Sequence, residues 1–151
     1  MALILRLTPA DYHRYCYPAT GEIILSKKIQ GKLHCVRPIA LRTVPVYIQN
    51  SREYQVIKTE QFGMMIQMEI GALLVGKIEN YIRPLEKKYI QVGEEKGYFE
   101  FGGSTIILLF QKDAICMNGS LYKKNNNHAE IRVRMGEFIA QINQERRGYN
   151  E

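Results

Sequence analysis

The amino-acid sequence predicts a mainly β fold, α+β at most, built from short antiparallel strands. Two observations support this fold class. Short apolar runs recur along the chain, and glycine, proline, asparagine or charged turn residues bound them. Strands this short and this frequent are typical of a barrel-like or sandwich fold. The predicted strands are Leu3 to Leu7, Ile23 to Leu25, Leu33 to Val36, Tyr54 to Thr59, Met64 to Ile70, Leu73 to Ile78, Tyr89 to Val92 and Ile106 to Phe110.

A single compact domain over residues 1–151 is the expected organisation. The chain has 151 residues, of which 46% are hydrophobic and 24% charged, and these values exclude wholesale disorder and suit one core. Between Pro45 and Ser51 we expect a short helix or an irregular loop. The Gly-Glu steps at Gly93 and Gly136 resemble, at the level of fold alone, the hairpins of lipoyl-type barrel-sandwich folds. The expected architecture is therefore a barrel-sandwich and lipoyl-like hybrid.

Cysteine usage and hydropathy favour a cytoplasmic location. Cys16, Cys35 and Cys116 are odd in number and contain no C-x-x-C pair, so neither a disulfide framework nor a zinc site is expected. No apolar run approaches the ~20 residues that a membrane-spanning helix needs. The apolar run Met1 to Leu5 is followed directly by Arg6 without a small-residue cleavage site, which argues against a secretory signal.

The charge balance predicts an anionic partner. Lys and Arg number 21 against 15 Asp and Glu, giving a formal net charge of +6, which suits a phospholipid surface or a nucleic acid. Several basic residues stand in pairs, and each charge near an anionic bilayer adds ~1 kcal/mol of attraction. A nucleic-acid-binding barrel is the weaker alternative, because the ten tyrosines are scattered rather than interleaved with the basic pairs.

The candidate chemistry begins at Ser104. The pair Gly102-Gly103 precedes this serine, and the apolar run Ile106 to Phe110 follows it closely. Glycine permits positive φ and leaves the Gly103 carbonyl uncrowded, so the serine hydroxyl can approach that carbonyl. The alternative is a glycine-bearing turn or bulge whose serine satisfies a local hydrogen bond. Spacing alone favours this alternative, so other residues must decide whether Ser104 has a chemical role.

Segments that follow one another along nearly the whole chain resemble the carboxy-terminal half of phosphatidylserine decarboxylase proenzymes. They are Leu7-Thr-Pro-Ala-Asp-Tyr-His-Arg-Tyr15, Gly31-Lys-Leu33, Pro38-Ile-Ala-Leu41, Asn50-Ser-Arg52, Thr59-Glu60, Phe62-Gly63, Gly71-Ala72, Val75-Gly76 and Gly97-Tyr-Phe-Glu-Phe-Gly-Gly-Ser-Thr105. The tyrosine-histidine-arginine and glycine-serine-threonine elements are the diagnostic ones. Both are present, and their separation along the chain makes coincidence improbable.

The resemblance implies that Ser104 is the source of a cofactor. Its hydroxyl would attack the Gly103 carbonyl to form an ester, and elimination and hydrolysis would leave a pyruvoyl group at position 104. The products would be a β chain, Met1 to Gly103, and an α chain, 104–151. The implied activity is decarboxylation of phosphatidylserine to phosphatidylethanolamine and CO2 at the inner face of the cell membrane. The pyruvoyl carbonyl would be the cofactor, and no metal is required.

The resemblance also assigns His13, which matches the first histidine of the family motif, to proton transfer. Cys16 stands where the motif has a second histidine, and its thiol is either a variant base or buried and inert. His34 is expected to be structural, and His128 to lie in a polar loop. Asp11 matches the motif's own acidic position, whereas the family's upstream aspartate is not in this chain. Three alternatives stay open: a fragment, a half-enzyme that needs a partner chain, and a silent module that binds anionic lipid surfaces.

Overall fold

The computed structural model describes residues 1–73, 77–82, 88–100, 102–119, 121 and 130–144. Its strands are β1 (Ala2–Leu7), β2 (Arg14–Cys16), β3 (Gly21–Ile29), β4 (Arg52–Thr59), β5 (Gly63–Ile70), β6 (Lys77–Asn80), β7 (Tyr89–Ile90), β8 (Glu95–Glu100), β9 (Ser104–Phe110), β10 (Ile115–Met117) and β11 (Ala140–Ile142). Two short helices, α1 (Pro38–Leu41) and α2 (Val46–Gln49), lie between β3 and β4. The predicted mainly β, antiparallel fold class is confirmed.

Six strands form the main sheet in the order β1, β9, β5, β4, β3, β7, and all neighbouring pairs are antiparallel. β9 lies between β1 and β5 and is buried from Ser104 to Leu108, which is typical of an uninterrupted apolar strand covered on both faces. The register places Ser104 opposite Leu7 and Ile106 opposite Glu69. Ser104 therefore begins a central strand of this sheet.

A second sheet has three strands in the order β2, β8, β6. Its Tyr15 and Phe99 belong to the same hydrophobic core as Ile57, Met65 and Ile106 of the main sheet, so the two sheets pack face to face. β10 and β11 form a separate antiparallel pair. In the described part of the chain the sheets do not close into a barrel. The core therefore lies between two open sheets.

Most predicted strands are present, some with different lengths. The predictions Leu3 to Leu7, Tyr54 to Thr59, Met64 to Ile70 and Ile106 to Phe110 lie within β1, β4, β5 and β9. β3 is longer than predicted because it continues to Ile29 with Lys27 and Lys28 exposed. β7 is shorter and ends at Ile90. The short helix that was one alternative after Pro45 is α2.

The predicted strand Leu33 to Val36 is wrong, and these residues form a loop. The Asn50 side chain provides the reason: its Oδ1 accepts from the His34 amide at 3.0 Å, and its Nδ2 donates to the His34 carbonyl at 2.8 Å. A buried side chain thus satisfies the backbone groups that a neighbouring strand would otherwise pair with.

Some predictions fall on residues that the structure does not describe. Of the predicted strand Leu73 to Ile78, Lys77 and Ile78 lie in β6 and residues 74–76 are outside the described ranges. Most of the predicted loop Asn118 to His128 and tail Gln144 to Glu151 also lie outside them. β2, β8, β10 and β11 are additional strands that the sequence did not predict.

Candidate active site

The backbone before Ser104 has two positions that favour glycine. Gly102 has a φ of +99°, which side chains of L-residues rarely adopt. At Gly103 an added Cβ would stand 3.3 Å from the Leu7 carbonyl oxygen and 3.7 Å from Cγ2 of Val36. Strand β1 and Val36 therefore pack closely around Gly103, and of the two glycines only Gly102 has the positive φ that glycine permits.

The Ser104 hydroxyl is buried without a hydrogen bond. The residue is 0% exposed, and among the described residues its Oγ has no hydrogen-bond partner. The local hydrogen bond that the structural alternative required is therefore missing there. An unsatisfied buried hydroxyl costs about 1–3 kcal/mol, and such groups are found where chemistry needs them. Among the described residues, the Ser104 oxygen is thus left without a partner close to the Gly103 carbonyl.

A tight turn fixes the ring of His13. The amide and hydroxyl of Thr8 donate to the Asp11 carboxylate at 2.7 and 2.8 Å, and these hydrogen bonds lower the pKa of that carboxyl. The Asp11 carbonyl in turn accepts from Nδ1 of His13 at 2.7 Å. Because a carbonyl only accepts, the proton resides on Nδ1 and the neutral ring presents a lone pair at Nε2. Nε2 is buried and has no hydrogen-bond partner among the described residues.

His13 faces an open pocket of about 310 Å³ that also reaches the glycine pair. The pocket is lined by Pro9, His13, Tyr98, Phe99, Glu100 and Gly102. The Phe99 amide donates to the His13 carbonyl at 3.0 Å, and the two rings meet edge to face at 6.3 Å. The pocket therefore contains His13 of the tyrosine-histidine-arginine element and Gly102 of the glycine pair, whereas Gly103, Ser104 and Thr105 are not part of its lining.

Arg14 supports one wall of this pocket. Its Nε lies 2.6 Å from Oε1 of Glu95, and a terminal nitrogen donates to the Tyr81 hydroxyl at 2.6 Å. The guanidinium carbon stands 5.3 Å from the centre of the Tyr98 ring, within cation–π range. The arginine of the tyrosine-histidine-arginine element thus positions Tyr98 rather than pointing into the site.

Cys16 lies half-buried in β2, opposite Glu95. Its carbonyl accepts from Nε2 of Gln67 at 3.2 Å, and the residue is not part of the pocket lining. Its catalytic assignment stays a prediction. Nε2 of His34 lies 3.1 Å from Oε1 of Gln49, which is consistent with the structural role predicted for His34. His128 lies outside the described residues.

The sequence analysis missed a buried ion pair between the sheets. Glu69 of β5 and Lys96 of β8 are both 0% exposed, and their side chains bond directly. Asn80 donates to Glu69 at 3.3 Å and to Glu53 at 2.9 Å, and the Tyr15 hydroxyl donates to Asn80 at 3.2 Å. Burial raises the pKa of the Glu69 carboxyl and lowers the pKa of the Lys96 ammonium. A polar network therefore crosses the core.

Strand register places this network on the same face of the main sheet as Ser104. Glu69 is opposite Ile106, and Ser104 precedes Ile106 by two residues, so the Glu69 and Ser104 side chains share a face as diagonal neighbours. The signal for the pair was present in the sequence as Met64-Met-Ile-Gln-Met-Glu-Ile70. Its alternation places Gln67 and Glu69 inward, whereas ordinary patterning would place polar residues outward.

Within the ranges given above, no group of three or more His, Cys, Asp or Glu side chains is arranged to hold a metal ion. None of the helices there is long and apolar enough to cross a membrane.

Comparison with known proteins identifies the family. The phosphatidylserine decarboxylase family model matches residues 1–141. The chain is 48% identical over 141 residues to phosphatidylserine decarboxylase proenzyme 2 of Clostridium acetobutylicum, covering 93% of this chain and 47% of that protein. It is 43% identical to the proenzyme of Clostridium perfringens, with 91% and 46% covered, and 42% identical to that of Fusobacterium nucleatum, with 89% and 45% covered. The chain thus spans about half the length of these relatives. It belongs to the phosphatidylserine decarboxylase family.

Proposed function

We propose that this chain is the serine-bearing half of a pyruvoyl-dependent decarboxylase that converts phosphatidylserine to phosphatidylethanolamine and CO2. The observation that carries the proposal is the buried Ser104 hydroxyl, which has no hydrogen-bond partner among the described residues and follows the tightly held Gly103. The relatives named above are called proenzymes, which is consistent with maturation by cleavage.

Cleavage would start at the Gly103–Ser104 peptide bond. The Ser104 oxygen attacks the Gly103 carbonyl carbon, the carbon–nitrogen bond breaks, and an ester forms in its place. Nε2 of His13 is the candidate acceptor of the hydroxyl proton, because its lone pair is free. Elimination then breaks the bond between Cβ and Oγ of residue 104 and releases Gly103 as a carboxylate. Hydrolysis finally releases ammonia and leaves the pyruvoyl group.

The surroundings of residue 104 fit a pyruvoyl group. The group has fewer atoms than the serine it replaces, and β1 and β5 hold the strand that would begin with it. Once formed, it would supply a carbonyl that takes up the substrate amine and accepts the electrons that departing CO2 leaves. His13, which lines the pocket, would return a proton to the decarboxylated carbon. At about 310 Å³ the pocket suits a headgroup rather than the acyl chains.

The proposed setting is cytoplasmic and peripheral, at the inner face of the cell membrane. The net charge of +6 favours an anionic bilayer. Because the chain matches 45–47% of the relatives' lengths, a partner chain or a further segment would complete the enzyme. Such a part would supply the aspartate that the family resemblance places upstream.

A silent lipid-binding module is the second candidate, favoured by Cys16 standing in place of the second motif histidine. The two candidates differ in product. Purified wild-type protein would be given phosphatidylserine labelled in its carboxyl group, with S104A as the control. Released CO2 from the wild type and not from S104A supports the decarboxylase. Lipid binding without CO2 supports the silent module if the chain is uncleaved, and a half-enzyme that lacks its partner if the chain has cleaved at Gly103–Ser104.

A further inference from the structure

The positive charge of the chain is concentrated in one stretch without acidic residues. Between Glu22 and Glu53 the sequence contains no Asp or Glu. The same stretch contains six basic residues, which are Lys27, Lys28, Lys32, Arg37, Arg42 and Arg52. Its charge of +6 equals that of the whole chain, so the remaining residues are balanced. An anionic partner would therefore be drawn to this stretch first.

Large apolar side chains are exposed in the middle of this stretch, in residues 32–49, here called the 32–49 segment. Ile39 is 77% exposed and Ile48 is 71% exposed, and Leu33 is also exposed. Helix α1 buries no residue, and α2 buries only Val46. Neighbouring exposed residues are Lys32, Arg37 and Arg42. Apolar and cationic side chains are thus interleaved on one exposed segment.

Hydrogen bonds at both ends and packing against the hydrophobic core hold the segment in place. The Lys32 amide donates to the Gln49 carbonyl at 2.8 Å, and the Ser51 amide donates to the Lys32 carbonyl at 2.8 Å. Val36 and Val46 belong to the hydrophobic core, and Ala40, Leu41 and Val44 pack against it. Ile39 and Ile48 are therefore displayed by a fixed scaffold, while other apolar residues of the segment point inward.

Acidic residues on other elements do not neutralise the positive charge of the 32–49 segment. Tyr47 lies near Glu130, but Glu130 forms an ion pair with Arg6 at 2.5 Å. Glu53 likewise pairs with Lys28 at 2.6 Å. Arg37 and Arg42 form no ion pair with any described residue. Their charges are available to phosphate groups.

The segment adjoins the candidate active site. Val36 is the residue whose Cγ2 lies 3.7 Å from an added Cβ at Gly103, and Arg37 follows it directly at the start of α1. A bilayer resting on this segment would therefore lie close to residue 104.

We propose that the 32–49 segment is the surface by which this protein docks on an anionic bilayer. Ile39, Ile48 and Leu33 enter the boundary between headgroups and acyl chains, and the flanking cations bind lipid phosphates. This inference rests on the proposed function in naming a lipid surface as the partner. It goes further in stating which residues make the contact.

Vesicle sedimentation tests the charges and the apolar residues separately. Vesicles of phosphatidylcholine with phosphatidylglycerol are used because phosphatidylglycerol is anionic and has no amine to react. Wild type should bind them and not pure phosphatidylcholine, and salt should weaken binding. R37Q and R42Q should each weaken binding about fivefold, with K112Q as an exposed control. I39N should weaken it roughly tenfold, with M135N as control, since Met135 is 78% exposed.

Tryptophan fluorescence provides a second readout, because the chain contains no tryptophan. In I39W or I48W the emission should shift to the blue on these vesicles and be quenched by brominated lipid, whereas M135W should do neither. Equal behaviour of I39W and M135W overturns the inference. Self-association that I39N abolishes, without vesicle binding, also overturns it and assigns the segment to a second copy. Binding by S104A separates this result from any failure of decarboxylation.

Discussion

Glu69 and Lys96 form a fully buried ion pair that joins the two sheets of this protein. Glu69 lies in β5, next to the strand that begins with Ser104. Lys96 lies in β8, the strand whose Phe99 amide binds the His13 carbonyl. The pair therefore connects the sheet that carries the candidate nucleophile to the sheet that holds the candidate base.

Removing one member of this pair should destabilise the fold strongly. E69A or K96A leaves the other charge buried without its partner, and about 3–5 kcal/mol of unfolding free energy should be lost. The double variant E69L/K96M removes both charges and keeps similar volumes, so it should cost much less than the sum of the single changes. Urea denaturation measures all three variants. A loss below about 1 kcal/mol in either single variant would contradict a buried pair.

His13 should control the rate of maturation. H13A removes the lone pair of the buried Nε2, and general base catalysis contributes about 10²–10⁴-fold, so appearance of the smaller chain should slow by that order. H34Q is the matched control, because His34 is held by Gln49 and Asn50 outside the pocket lining. Gel analysis over time measures both. Equal rates for H13A and wild type would remove His13 from the mechanism.

A side chain at Gly103 should destabilise the fold and slow cleavage. In G103A the new Cβ stands 3.3 Å from the Leu7 carbonyl oxygen, and overpacking of this kind costs about 1–3 kcal/mol. The shift should also move the 103–104 peptide away from the Ser104 hydroxyl and slow cleavage. Gly119 is the control, because no atom of the described residues lies within 4 Å of an added Cβ there. Equal urea midpoints and equal cleavage for G103A and G119A would contradict close packing around Gly103.

The turn that holds His13 should be acid-sensitive. Hydrogen bonds from the Thr8 amide and hydroxyl hold the pKa of the Asp11 carboxyl below its ordinary value of 3.8. A carboxyl with a lower pKa in the folded state stabilises the fold above its unfolded pKa, and this contribution is lost as the pH falls through the folded pKa. The stability difference between wild type and D11N should therefore shrink below pH 3.8. A difference that stays constant during acid titration would contradict the assignment.

Much of the main sheet was predictable because its apolar strands are bounded by turn residues. β1, β4, β5 and β9 followed from that pattern, whereas the glycine pair alone left the role of Ser104 open and the family resemblance assigned it. The buried ion pair between Glu69 and Lys96 did not follow from the pattern. Glu69 alternates with apolar residues, and its inward direction depends on Lys96, which lies in another sheet. The loop at Leu33 to Val36 likewise depends on Asn50, whose side chain replaces a strand neighbour. Contacts between residues that are distant in sequence therefore determine both the buried pair and the loop.

The hydroxyl of Thr105, the next residue along the chain, provides an internal control for Ser104. Thr105 is also buried with an oxygen that has no hydrogen-bond partner among the described residues. It lies opposite Arg6 and Ile70, so it points to the other face of the sheet from Ser104. T105V should therefore still cleave, whereas S104A should not.

The most direct test of Ser104 as the cleavage nucleophile is the intact mass of the purified chain under denaturing conditions. Wild type and T105V should each give two chains, one ending at Gly103 and one starting at position 104. The second should be lighter by one ammonia than a chain that begins with serine. S104A should give a single chain. A single full-length mass for the wild type would contradict self-cleavage by this polypeptide.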